Sequence, residues 1–392
     1  MSIYLDHNAT TPMDERVLEV MLPYLREQFG NPSSAHQLGR TARAAVGVAR
    51  EQVAALVNAH PSQVVFTGGG TEANNLALTG IAGRSSAGHL AISAVEHDSV
   101  RAPAKALQKQ GWSLDEIGVD KQGRLDAAQL RNTLATMRTS ASKPAATKLL
   151  AVMLANNETG VIHDIATVAA QAREAGAVLL VDAVQAAGKI PVDFVAMGAQ
   201  LMSLSGHKIY GPKGVGALIV DKAMDMEPLI QGGGHEKGRR AGTENVAAIV
   251  GFGRAAELAM DALGARQVQL QLLRDHLEQR LTAEMPELRI FGQQAERLPN
   301  TSFFAVPGVD GETLLMSLDQ LGLAVSSGSA CSTGEVEPSH VLMAMGVEAG
   351  LARGAVRVSL GKDSRRDEID GFVDGFKQQV RVLQNFSSVA CA

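Results

Sequence analysis

From about residue 60 to residue 220 the chain alternates short aliphatic or β-branched runs with stretches whose apolar residues recur at helical spacing. That rhythm predicts repeated strand–helix–strand units. The strand candidates are 64–67, 90–95, 148–155, 177–182, 200–205 and 215–220, each bounded by Gly, Ser, Asn or Asp. Several are apolar on both faces, as strands are when helices cover a mainly parallel sheet from both sides; half-exposed antiparallel strands alternate instead. Helices are predicted over 40–58, 72–82 and 165–175. After residue 253 the pattern changes to a long charged helical stretch, 265–285, then shorter strands at 289–291 and 301–306. A boundary is therefore expected near residue 257, with no proline-rich linker, repeat or low-complexity tract to hold two parts asunder.

Composition narrows the partners. A chain of 392 residues with 45% hydrophobic content can bury a large core and form about two domains. Its 41 acidic and 36 basic residues give a net charge of −5 without a basic run, which argues against nucleic acid and anionic membrane as partners. The opening MSIYLDHNATTP has no basic n-region, and no later stretch reaches the roughly eighteen apolar residues of a membrane span, so a cytoplasmic location is expected. Cys331 and Cys391, the only cysteines, form no CxxC pair. They suggest neither a disulfide framework nor a zinc site, and no resident metal is expected.

In open α/β sheets ligands collect beyond the carboxyl ends of the strands. There this sequence places TGGGTEANNLAL, a glycine turn opening a helix, with Gly69, Gly70 and Thr71 as candidates to hold a phosphate. A tight βα connection reads the same way, and the GxGxxG and GxxxxGK[ST] spacings of dinucleotide and P-loop sites are absent. His97 in AVEHDSV and Asn157 in LANNETG also follow strands, though one suits a helix cap and the other a turn. Asp182 ends the buried run LLVD, and Ser205, His207 and Lys208 follow the next run in LMSLSGHKIYGPKG. A carboxylate at the end of an apolar strand is costly unless a cation meets it. Lysine could meet it directly. A cofactor between the two is the better answer, because pyridoxal 5'-phosphate (PLP) needs a lysine for its Schiff base and a carboxylate to keep its ring nitrogen protonated.

The motifs LDHNATTP, FGNPSSAH, GTEANN, EHDSV, ANNETG, VDAVQAAGK, SGHKIYGPKG, RRAGTENV, SSGSACS and VRVSLGK follow one another from residue 4 to about 362. Together they resemble the cysteine desulfurases of class V aminotransferase type, in the first of that family's two main groups, which serves nitrogenase and general iron-sulfur cluster assembly. The resemblance implies the α/β fold type I of PLP-dependent transferases. Its large domain, 16–257, would hold a mixed, mainly parallel seven-stranded sheet, and residues 1–15 and 258–392 would form a small α+β domain. A homodimer is implied. Carried over by motif, Lys208 would hold the cofactor, Asp182 its ring nitrogen and Gln185 its phenolic oxygen, with His97 stacked on the ring. Gly70, Thr71, Ser205 and His207 would hold the phosphate, joined by Thr243 of the other subunit. Asn157 and Arg357 would grip the substrate carboxylate, Arg357 by a bidentate pair.

Cys331 lies in AVSSGSACSTGEVEPSH, a Ser- and Gly-rich segment, about 325–338, that is unsuited to a core and reads as a loop. The same resemblance implies that free L-cysteine displaces Lys208, that Lys208 moves the α-proton, and that the Cys331 thiolate takes the sulfur as a persulfide. L-Alanine then leaves, with His97 as proton donor or acceptor. An iron-sulfur scaffold or another acceptor protein would receive the sulfur, and a cluster would sit on Cys331 only transiently. Cys391, near the end in SSVACA, reads as a spare exposed thiol. Two other readings keep the same scaffold: a selenocysteine lyase or aminotransferase, and a non-catalytic regulator. Alanine and sulfide formed together from L-cysteine separate the desulfurase from both.

Overall fold

The computed structural model describes residues 2–85, 87–139, 147–327 and 337–390. Cys331, Cys391 and most of the segment 325–338 lie outside the described residues. A seven-stranded sheet forms the larger layer. In chain order its strands are β1 (Val64–Thr67), β2 (Gly88–Ser93), β3 (Ser113–Ile117), β4 (Thr147–Met153), β5 (Val178–Asp182), β6 (Leu201–Ser205) and β7 (Gly216–Val220). Across the sheet they run β1-β7-β6-β5-β4-β2-β3. All neighbours are parallel except at β7, which is antiparallel to both β1 and β6. The reversal at β7 left no mark on its sequence, because a strand apolar on both faces reads alike in either direction.

β3 was not expected. Its sequence SLDEI is polar and only its last residue is fully buried, because it is an edge strand that pairs with β2 alone. Helices cover both faces of the sheet. Gly70–Ala82 and Asp98–Lys109 pack Leu76, Ile81, Val100 and Leu107 against one face. Gln37–Leu56, Ile165–Ala175 and Val246–Asp261 pack Val46, Val53, Val168 and Phe252 against the other. Among the described residues no helix is long and apolar enough to cross a membrane.

A four-stranded antiparallel sheet carries Ser326–Ser327, Ala355–Ser359, Thr301–Ala305 and Arg289–Ile290 in that order. Helices Leu263–Glu284 and Arg366–Ala390 flank it around a separate apolar cluster that includes Leu5, Leu277, Phe304, Phe372 and Phe376. The N-terminal segment is bound into this region: Ile3–Tyr4 pairs in parallel with Leu323–Ala324, and Asn8 N donates to Ser359 Oγ at 2.9 Å. From there it crosses to the larger sheet, where Thr11 N donates to His207 O at 3.0 Å.

Candidate active site

β5 ends in Asp182 and its neighbour β6 in Ser205, so the parallel register delivers both to one edge, where the short turn Gly206–Lys208 follows. A cavity of about 260 Å³ opens there. Gly70, Thr71, His97, Asn157, Asp182, Gln185, Ser205, His207 and Lys208, all candidates from sequence, line it together with Asn74, Ser99, Met153 and Val184. A second cavity of about 510 Å³ shares His97, Asn157, Gln185 and Lys208 with the first and extends to Arg357, His340 and Ser326. Thr243 is exposed and borders neither cavity.

Asp182 is buried, and its partners are neutral: Asn74 Nδ2 donates to Oδ2 at 2.8 Å and Val184 N to Oδ1 at 3.0 Å. The direct lysine–carboxylate pair weighed from sequence does not form. Lys208 Nζ donates instead to the backbone oxygens of Asn8 and Ala9, both at 2.6 Å. Burial, followed by the nearby Arg357 charge, pushes the Lys208 pKa down to about 8.

His97 caps the helix Asp98–Lys109, the local role its position suggested: Nδ1 accepts from Ser99 N at 3.1 Å and lies 2.8 Å from Ser99 Oγ. A backbone amide can only donate, so Nδ1 carries a lone pair and the neutral ring has its proton on Nε2. Asn74 Nδ2 also donates to Ser99 Oγ at 2.9 Å, so one amide ties His97, through Ser99, to Asp182. Sequence reasoning passed over Asn74; its signal was a polar residue on a helix face that the apolar spacing assigns to the core.

At the other end of the cavity the helix Gly70–Ala82 begins. A Cβ at Gly70 would meet Val184 Cγ2 at 2.8 Å, so only glycine allows this approach without a shift. Ser205 Oγ is buried with no hydrogen-bond partner among the described residues, and His207 Nδ1 lies 3.1 Å from Thr10 Oγ1. Burial and then the Lys208 and Lys213 charges lower the His207 pKa to about 4.

Arg357 lies on the central part of the smaller sheet, with Nη2 2.7 Å from Asp6 Oδ1 and Nη1 donating to Asn157 O at 3.0 Å. Its Nε is buried without a partner among the described residues. Asp6, which the motif reading did not single out, thus holds this guanidinium in place. Nearby, Glu158 is bonded to Ser339 Oγ, and burial raises its pKa to about 7.

Glu96 is fully buried beneath the cavity wall. Its Oε1 accepts from Ser93 Oγ at 2.5 Å and from Met153 N at 2.7 Å, while Oε2 has no partner among the described residues. Burial raises its pKa from 4.5 to about 8. The native state therefore holds a proton that the unfolded chain releases. This contribution to stability is complete below about pH 4.5 and is lost as the pH rises to about 8. Glu96→Gln is expected to flatten the fall in thermal midpoint between pH 5 and pH 8, removing up to about 1.4 kcal/mol per pH unit. Unchanged pH dependence in the variant would refute this assignment.

Residues 3–372 match the family described as aminotransferase class-V. The chain is 44% identical to the cysteine desulfurase IscS of Anaeromyxobacter sp. (strain Fw109-5) over 390 residues, covering 98% of this chain and 94% of that one. Among solved structures it is similar to a NifS-like protein at 34% identity and a TM-score of 0.89, covering 98% of this chain and 100% of the other. It is also similar to a structure of SspA in complex with cysteine, at 32% identity and a TM-score of 0.78, over 92% and 99% of the two chains.

Proposed function

The chain belongs to the aminotransferase class-V family, and from that membership we propose that it is a PLP-dependent cysteine desulfurase that moves sulfur from L-cysteine to Cys331 and releases L-alanine. The observation that carries this reading is the placement of Lys208 and Asp182 on one cavity without a bond between them. An amine of lowered pKa and a buried carboxylate with no cation bonded to it among the described residues face one cavity, each bonded to other groups.

That donor set fits PLP. Lys208 would hold its aldehyde carbon, Asp182 its ring nitrogen and Gln185 its phenolic oxygen. The partnerless Ser205 Oγ, His207, Thr71 and the amide of Gly70 would hold its phosphate. When bound, PLP draws electrons from the substrate through its protonated ring, which prepares the carbon–sulfur bond for cleavage.

The remaining steps rest on the chain. Asp182, fixed by Asn74 and Val184 N, keeps the proton on the ring nitrogen. Arg357 and Asn157 orient the substrate carboxylate, with the unpartnered Nε adding a donor to the guanidinium edge. A share of Lys208 is uncharged near neutral pH, so it can accept the α-proton and return it later. His97, with its proton on Nε2, acts as donor near the ring. The Cys331 thiolate attacks the substrate sulfur: a sulfur–sulfur bond forms, the carbon–sulfur bond breaks, and L-cysteine plus thiol become L-alanine plus persulfide.

We place the large domain at 16–257 and the small one at 1–15 with 258–392; the apolar cluster that joins Leu5 to Leu270 and Phe376 supports that grouping. A homodimer would bring Thr243, exposed on its own chain, to the partner's phosphate site. An iron-sulfur scaffold or another acceptor protein in the cytoplasm would collect the persulfide sulfur. The test is to incubate the PLP-loaded protein with L-cysteine and reductant and to assay alanine and sulfide together. Equal amounts are expected; a keto acid in place of alanine would sink the proposal.

A further inference from the structure

Lys189 belongs to the motif VDAVQAAGK, yet no step above uses it. It is buried and lies four residues after Gln185 in a run of turns, where Ala187 N donates to Ala183 O and Lys189 N to Ala186 O. Lys189 Nζ donates to Gln185 Oε1 at 2.7 Å and to Asn8 Oδ1 at 2.7 Å. Gln185 Nε2 in turn donates to Asn8 O at 2.9 Å, the same oxygen that accepts from Lys208 Nζ.

We infer that Lys189 is a positioning residue that fixes the sense of the Gln185 amide, so that its Nε2 donor, and never its oxygen, is offered to the phenolic oxygen of the cofactor. The inference rests on the PLP reading of the site. The reason is chemical: Lys189 Nζ gives an N–H to Gln185 Oε1 while Gln185 Nε2 gives its own to Asn8 O, so an amide flip would lose the Lys189 donor and set Gln185 Oε1 against the Asn8 carbonyl. Burial and the facing charges of Lys208 and Arg357 lower the Lys189 pKa well below the usual range. Its two hydrogen bonds go to the two acceptors that face it. Through Asn8 the same amine also steadies the carbonyl that receives Lys208. Asn8 Oδ1 is held by Lys189 and by Asn300 Nδ2 at 3.1 Å, while Asn8 Nδ2 donates to Thr301 Oγ1 at 2.9 Å.

The test uses the holoenzyme and reads the pH midpoint of the visible absorption band of bound PLP. Gln185→Leu removes the donor and is expected to shift that midpoint by about one pH unit. Lys189→Met is expected to shift it in the same direction, and the double variant no further than Gln185→Leu alone, because both changes remove one interaction. Lys189→Gln, which keeps a donor, is expected to stay near wild type and also serves if the methionine variant does not fold. An unmoved midpoint in Lys189→Met beside a shifted one in Gln185→Leu would overturn the inference. So would additive shifts, or a shift in Lys189→Gln as large as that in Gln185→Leu. If Gln185→Leu itself leaves the midpoint unchanged, the Gln185 assignment fails and this inference fails with it. If the purified protein binds no PLP, the cofactor reading is what falls.

Discussion

Lys208→Ala is expected to turn over L-cysteine about a thousandfold more slowly or worse, and borohydride will no longer fix a pyridoxyl group to the chain. Two properties of Lys208 support this expectation. Its Nζ is held by two backbone oxygens and, among the described residues, by no carboxylate, so no ion pair there locks it as a charged group. Its pKa, lowered to about 8, leaves it able to attack a carbonyl and to carry a proton near neutral pH. Lys189 and Lys213 are the lysines to compare: the first is buried and bonded to two side chains, and the second lies beyond the turn that carries Lys208. Peptide mapping after borohydride treatment distinguishes them. A pyridoxyl group on either one would end the Lys208 assignment.

Cys331→Ser is expected to divide the reaction. The variant will stay yellow and its spectrum will still respond to L-cysteine, because in the proposed mechanism binding, carboxylate recognition and α-proton transfer fall to Lys208, Asp182 and Arg357. Alanine and sulfide formation will fall roughly a thousandfold, since a hydroxyl attacks sulfur far more weakly than a thiolate does. Cys391→Ser will change neither half. In the wild type, L-cysteine without reductant will place a persulfide on the peptide containing Cys331, and prior alkylation will prevent it. Near-normal alanine release by Cys331→Ser would show that the thiol is not the acceptor and would favour the selenocysteine lyase reading.

What the sequence made legible was whatever depends on local order. Strands apolar on both faces announced a helix-covered sheet, and because β5 and β6 are adjacent and parallel, the polar residues after them, Asp182 and Ser205, had to emerge side by side. β3 escaped because an edge strand faces water and can be as polar as SLDEI. The links that fix the site were hidden for a different reason. Asn74 reaches Asp182 across 108 positions and Lys189 reaches Asn8 across 181, and no periodicity encodes such distances. His97 shows a further ambiguity: its cap bond to Ser99 is a local helix-start signal, and the same bond decides which nitrogen faces outward.

The seat of Asn8 sets the order in which the protein can be completed on the ribosome. Asn8 closes the floor beneath Lys208 and Gln185, but its own anchors are Thr301 and Ser359, and Ile3–Tyr4 waits for Leu323–Ala324. At synthesis rates of roughly 5–20 residues per second, residues 3–8 wait on the order of tens of seconds after emerging for their partners. The nascent sheet can form long before its floor is closed. A site built on Asn8 is therefore closed only after translation has passed residue 359, and a bulky fusion ahead of residue 3 would burden that last closure far more than one placed on an exposed loop.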